Sequence, residues 1–89
     1  MKNPTQPALE FPALFPIKAI GKHTGEFELI VLEIVRRHAP EVNANAITTR
    51  ASNGGKYLAV TAMILAQSQA QLDALYRELS AHDQVVYVL

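Results

Sequence analysis

Eighty-nine residues, 49% of them apolar, make one small globular domain and are too apolar for a disordered chain. Eight basic residues balance eight acidic ones, so the basic excess that drives phosphate binding is missing and nucleic acid is disfavoured as a partner. The absence of cysteine excludes disulfides, thiolate nucleophiles and zinc–thiolate sites.

Residues 1–10 hold Pro4 and Pro7 and read as a flexible tail, and residues 11–89 as a single domain. The start has no signal-peptide core, and no apolar run approaches the ~20 residues of a membrane span. The expectation is a cytoplasmic protein without membrane contact.

Leu14–Gly21, LFPIKAIG, is β-prone and closes on a glycine, which predicts the first strand. Thr24–Pro40 predicts a helix with Thr24 as N-cap and Glu26 and Glu28 in the first turn. Phe27, Ile30, Val31, Ile34 and Val35 form its apolar face, widened by Leu29 and Leu32, and Glu33 is spaced to pair with Arg37. Val42–Ala51 is a weaker strand signal. Tyr57–Leu65, YLAVTAMIL, is a strong one, with Leu58, Val60, Ala62 and Ile64 on one face. Ser68–Ala81 is a second helix opened by a Ser68-x-x-Gln71 capping box. Its stripe is Leu72, Leu75, Tyr76 and Leu79, and Asp73 is spaced to pair with Arg77. Gln84–Leu89 ends the set as a strand.

The order βαββαβ predicts an α+β, ferredoxin-like sandwich: a four-stranded antiparallel sheet with two helices on one face. The first and third runs are the most apolar and suit the centre, while the second suits an edge.

The stretch SNGGK, Ser52–Lys56, raises the question of a phosphate loop. Such a loop leads from a strand into a helix N-terminus. Here the glycines lead into another strand, so Gly54 and Gly55 predict a hairpin turn, where positive φ is needed. His23, His38 and His82 have no i, i+4 spacing, which argues against a metal site. Ser80, His82 and Asp83 are triad residue types in a row, but a helix end explains them better. Asp73, Glu78 and Asp83 give no sign of burial that would tune a pKa.

If Ile17 and Ala19 face the helices, Lys18 faces away. The uncovered side then carries Lys18, Ile20, Tyr57, Thr61, Met63 and Leu65, an apolar surface of the kind that marks an interaction site. Lys18, Thr61 and Met63 on the sheet, with Ser52, Lys56 and Tyr57 at the hairpin, are the candidate ligand or partner surface. One aromatic without a basic surround is weak support for RNA binding.

Several stretches together, EFPALFPIKAIG, RHAP, RASNGGKYLAVT and LDALYRELSAHDQVVYVL, resemble the YbeD-like family of small bacterial proteins, a domain of unknown function. The resemblance rests on Phe11 and Pro12, Lys18 and Gly21, Ser52 and Gly55 with Tyr57, then Leu75, Tyr76 and Leu79, and Val88 with Leu89. It covers Glu10–Leu89 and implies a fold similar to the ACT regulatory domains, which bind amino acids between paired domains. It implies no enzyme activity, no catalytic residue and no cofactor. ACT-type sites use a glycine after the first strand, and Gly21 and Gly25 fall in that region, so both join the candidate surface. The function expected is a non-enzymatic regulatory or protein-interaction module, a homodimer or a partner docked on the open face. The alternative is an ACT-like small-metabolite sensor.

Overall fold

The computed structural model describes residues 10–89, so the expected tail, apart from Glu10, lies outside the described residues. Two long strands dominate it: β1, Ala13–Lys22, and β3, Tyr57–Ala66. They pair antiparallel over their whole length, from Ala13↔Ala66 to Lys22↔Tyr57. Strand β2, Ile47–Ala51, joins β3, and β4, Val85–Val88, joins β1, giving the sheet order β2-β3-β1-β4. Helices α1, Phe27–His38, and α2, Gln69–Ala81, complete the βαββαβ order. The antiparallel, ferredoxin-like architecture and the central place of the first and third strands follow the sequence expectation.

Side chains alternate across a strand, so a sheet covered on one side sorts odd from even positions. Ile17 and Ala19 of β1 and Leu58, Val60, Ala62 and Ile64 of β3 point into the core. They meet Phe27, Val31, Ile34 and Val35 of α1 and Leu72, Leu75 and Leu79 of α2. Truncating a core residue such as Phe27 to alanine removes about 3–5 kcal/mol in comparable cores. Pro16 fits within β1 because Lys18 exchanges its backbone bonds with Leu89 on the β4 side. Two residues earlier, the missing N–H of Pro16 faces the same side, past the end of that ladder.

The link from β1 into α1 is longer than the sequence predicts. The helix starts at Phe27, not next to Thr24, and Glu26 occupies the N-cap position without a side-chain cap bond. The Thr24 hydroxyl takes only a long 3.4 Å bond from the Glu26 N–H. The reason lies at Gly21. A Cβ there would come within 2.3 Å of both the Gln84 carbonyl oxygen and the Phe27 ring. The ring fills the space that the glycine leaves, and that packing sets where the helix begins. Leu29, 58% exposed, falls outside the buried stripe it was expected to widen. The weak strand over Val42–Ala51 also shortens to β2. Val42 is buried, but the Asn43 side chain accepts the Asn45 N–H at 2.9 Å and closes a 3-10 turn over Ala44–Ala46.

Helix α2 opens as expected, with the Ser68 hydroxyl accepting the Gln71 N–H at 3.1 Å. The return half of the capping box differs. Gln71 accepts from the Gln67 N–H at 2.6 Å and donates to the His38 carbonyl at 2.8 Å, tying the start of α2 to the end of α1. The expected pairs within each helix are replaced in the same way. Arg37 pairs with Glu78 across the two helices rather than with Glu33, and His38 Nε2 meets the same carboxylate at 2.7 Å. Asp73 accepts from Gln69 at 2.9 Å instead of pairing with Arg77. Burial does not tune Glu78 downward, in keeping with the sequence reading, but its partners do. Its hydrogen bond from Arg37, then that from His38, holds the carboxyl below its ordinary value of 4.5.

Two stability tests follow from these contacts. Gly21→Ala overpacks the Phe27 contact and loses about 1–3 kcal/mol, which lowers Tm by roughly 4–8 °C per kcal/mol in a domain this size. Gly25→Ala, where nothing lies within 4 Å of the added methyl, leaves Tm unchanged. Equal melting of the two variants in differential scanning calorimetry contradicts the packing account. Glu78→Gln lowers Tm at neutral pH by less than Gly21→Ala does. A carboxyl whose folded pKa is depressed stabilises above its unfolded value, and the contribution is lost as pH falls through the folded pKa. The gap between Glu78→Gln and the parent protein therefore closes in acid, and a gap independent of pH rules out the carboxylate as its source.

Candidate functional site

The register that buries Ile17 and Ala19 turns the next residues outward. Read along β1 and β3, the pairs on the uncovered face are Leu14↔Leu65, Pro16↔Met63, Lys18↔Thr61, Ile20↔Ala59 and Lys22↔Tyr57. The edge strands add Thr48 beside Thr61 and Arg50 beside Ala59, and Tyr87 beside Ile20. The face has two ends of different character. Leu14 (72% exposed), Met63 (44%) and Leu65 (40%) make one end apolar. The other end gathers Arg50, Tyr57 and Tyr87 around a floor of Ile20 and Ala59.

That second end is concave. A depression of about 400 Å³ is lined by Ile20, Arg50, Ser52, Tyr57, Ala59 and Tyr87 together with Ala51 and Val86. Beside it a second hollow of about 280 Å³ is lined by Lys18, Thr48, Thr49, Arg50, Ala59 and Thr61. Arg50 and Ala59 belong to both.

The charge on this face differs from the balanced total. The four strands contain Lys18, Lys22 and Arg50, all exposed, and no acidic residue. The acids lie in the helices, in the connecting segments and at Glu10. Overall neutrality therefore conceals a positive sheet face, which composition has no means of registering.

The SNGGK segment is a turn between β2 and β3, as its context predicts. Gly54 and Gly55 adopt φ of 83° and 74°, the region glycine enters without steric cost. The loop's own groups take two of its amides: Gly55 N–H donates to the Ser52 carbonyl at 2.8 Å, and Tyr57 N–H to the Ser52 hydroxyl at 3.0 Å. A phosphate cradle needs such donors free. The turn is also bound to the segment after β1. His23 N–H donates to the Lys56 carbonyl at 2.9 Å, and His23 Nδ1 lies 3.1 Å from the Gly55 carbonyl. A carbonyl only accepts, so Nδ1 must carry the proton there. Lys56 Nζ stands 5.6 Å from the centre of the Tyr57 ring, within cation–π range.

The structure divides the residues singled out in the sequence. Lys18, Tyr57, Thr61 and Met63 share the open face, and Ser52 and Lys56 sit at its hairpin end. Gly21 does not join them. It is buried on the helical side against Phe27, because successive residues of a strand face opposite ways. Gly25 is exposed in the link to α1, clear of both hollows. Arg50, Thr48 and Tyr87 were missed. Their strands are edge strands with weak or short signals, and only pairing with β3 and β1 shows which way they point. Of the remaining candidates, His82 Nδ1 accepts the Gln84 N–H at 3.0 Å, a bond of the turn after α2. Among the described residues no three His, Asp or Glu side chains cluster as metal ligands. No helix of the described residues is long and apolar enough to cross a membrane.

A one-sided antiparallel sheet in this order defines a ferredoxin-like domain, and solved structures agree. The solution structure of protein HP0495 from H. pylori superimposes with a TM-score of 0.78 at 15% identity, covering 98% of this chain and 91% of that one. The ACT domain from GTP pyrophosphokinase of Chlorobium tepidum gives 0.65 at 17% identity, over 85% of this chain and 94% of that one. At those identities the likeness concerns the fold. The chain belongs to the protein family of unknown function DUF493, whose model matches residues 6–89. A UPF0250 protein of Neisseria gonorrhoeae is 47% identical over 91% of this chain and 89% of its own length.

Proposed function

We propose that this chain is a non-enzymatic regulatory or protein-interaction module of the bacterial cytoplasm that docks a protein partner on its open sheet face. The observation that carries this reading is the apolar end of that face. Leu14, Met63 and Leu65 stand exposed as cross-strand neighbours on the two central strands, together with Pro16. A domain of this size buries only ~60% of its unfolded surface, so covering such a patch is a sizeable gain. A second copy of the chain and a domain of another protein both suit it. The likeness to an ACT domain taken from a larger enzyme is consistent with a module that serves a partner. A small-metabolite sensor is the second reading, favoured by the two hollows that meet at Arg50.

Met63→Asp tests docking. The side chain is 44% exposed, so the fold survives, while a charge placed at an interface centre costs 2 kcal/mol or more, about thirtyfold in affinity. Light scattering reports the loss of a self-associated mass, and capture from host lysate reports the loss of a heterologous partner. A folded variant with unchanged mass and unchanged partners refutes the reading.

A further inference from the structure

The hollow around Lys18 and Arg50 is built to hold an anion. Arg50 offers a planar fork of donors and Lys18 a compact ammonium. Thr48 and Thr61, paired across β2 and β3, place two hydroxyls in the same hollow. The ion pairs among the described residues engage Arg37 and His38, not these two cations. No strand carries an acid to compete for them. Two positive charges match the charge of roughly −1.5 to −2 on a phosphate monoester better than the single charge of a carboxylate.

The neighbouring hollow is built for something flat and apolar. Ile20 and Ala59 make its floor. Tyr57 on β3 and Tyr87 on β4 rise on either side of the strand that carries Ile20. Two strand spacings, about 9.6 Å, separate those strands, which admits one planar ring against the tyrosine walls. Its volume of about 400 Å³ is within the range of small-molecule pockets. One step from i to i+2 along a strand, roughly 6.8 Å, leads from the Lys18–Thr61 row to the Ile20–Ala59 row. A short linker spans that distance.

We infer that the two hollows form one composite site for a small molecule that joins a planar aromatic ring to a phosphate, the chemistry of a nucleoside monophosphate. Arg50, shared by both hollows, grips the phosphate with Lys18, Thr48 and Thr61, and the ring lies on Ile20 and Ala59 between Tyr57 and Tyr87. The inference rests on the sensor reading and narrows its ligand. It begins one row from the Pro16–Met63 pair, at Lys18 and Thr61, and runs to the end of the sheet opposite Leu14 and Leu65.

The test is a titration of the full chain with adenosine monophosphate, followed by amide and side-chain NMR shifts. The expected result is saturable shifts confined to the residues of the two hollows. Arg50→Ala and Tyr87→Ala each weaken binding about tenfold or more, while Arg77→Ala on α2 leaves it unchanged. Arg50 and Tyr87 are exposed, and unaltered melting confirms that their variants remain folded. Adenosine and inorganic phosphate, each carrying half of the recognised group, bind more weakly than the monophosphate. Absence of saturable shifts at about 5 mM adenosine monophosphate overturns the inference. So does equal binding of inorganic phosphate, which leaves only an anion patch. Binding of a short single-stranded oligonucleotide a hundredfold tighter assigns the face to nucleic acid instead. Thermal shifts with free amino acids but not with the nucleotide defeat this ligand class and leave the sensor reading standing. Silence toward nucleotides, free amino acids and a panel of other small metabolites removes both.

Discussion

The central ladder between β1 and β3 is the constraint on which the rest of the molecule depends. Its register runs unbroken from Ala13↔Ala66 to Lys22↔Tyr57. With helices on one side only, that register assigns every residue of both strands to the core or to the open face. A slip of one residue would carry Lys18 under the helices and Ile17 into water, so burial of Ile17, Val60, Ala62 and Ile64 holds the pairing in place. The same alternation that builds the core therefore also builds the exposed surface. Core and candidate site are two outcomes of one pairing.

Gly21 shows how closely the two are joined. It lies in β1 between Ile20, on the floor of the hollow, and Lys22, opposite Tyr57. Its own missing side chain is filled from the other face by the Phe27 ring. That contact anchors α1 under the end of the sheet where Tyr57 and Tyr87 stand. The hairpin is held there as well, because Ser52 closes it from within and His23 holds it from the segment after β1. The concave end of the face is thus supported by backbone bonds and a packed ring, which suits recognition of a small molecule. The apolar end lies on the flat of the two central strands, which suits a larger partner surface.

Element types and their order were legible in the sequence because each rests on local periodicity. The two-residue alternation in YLAVTAMIL and the Leu72, Leu75, Leu79 stripe need no knowledge of the rest of the chain. The turn at Gly54 and Gly55 was legible for the same reason, since positive φ at glycine is a local property. Charge pairing was less so. Glu33 and Asp73 are at good spacing for helix pairs, yet Arg37 reaches across to Glu78 and Asp73 takes Gln69. A partner on a neighbouring helix replaces the local one once the two helices pack, and sequence spacing contains no term for that.

The candidate site divides along the same line. Lys18, Tyr57, Thr61 and Met63 were placed on the open face by the sequence alone, because strand alternation orients residues within a single run. Gly21 was assigned to the surface through a family likeness, and its position in the strand faces it inward. Arg50, Thr48 and Tyr87 came to the site only through pairing between strands far apart in the chain, β2 with β3 and β4 with β1. By itself the sequence determined the fold, the covered and uncovered sides of the two central strands and the hairpin turn, all of which follow from local backbone preference and burial. Only the tertiary structure decided which edge residues join Lys18 and Tyr57 and that the sheet face is cationic in a neutral protein. Those are properties of neighbourhood across strands, and no local pattern encodes them.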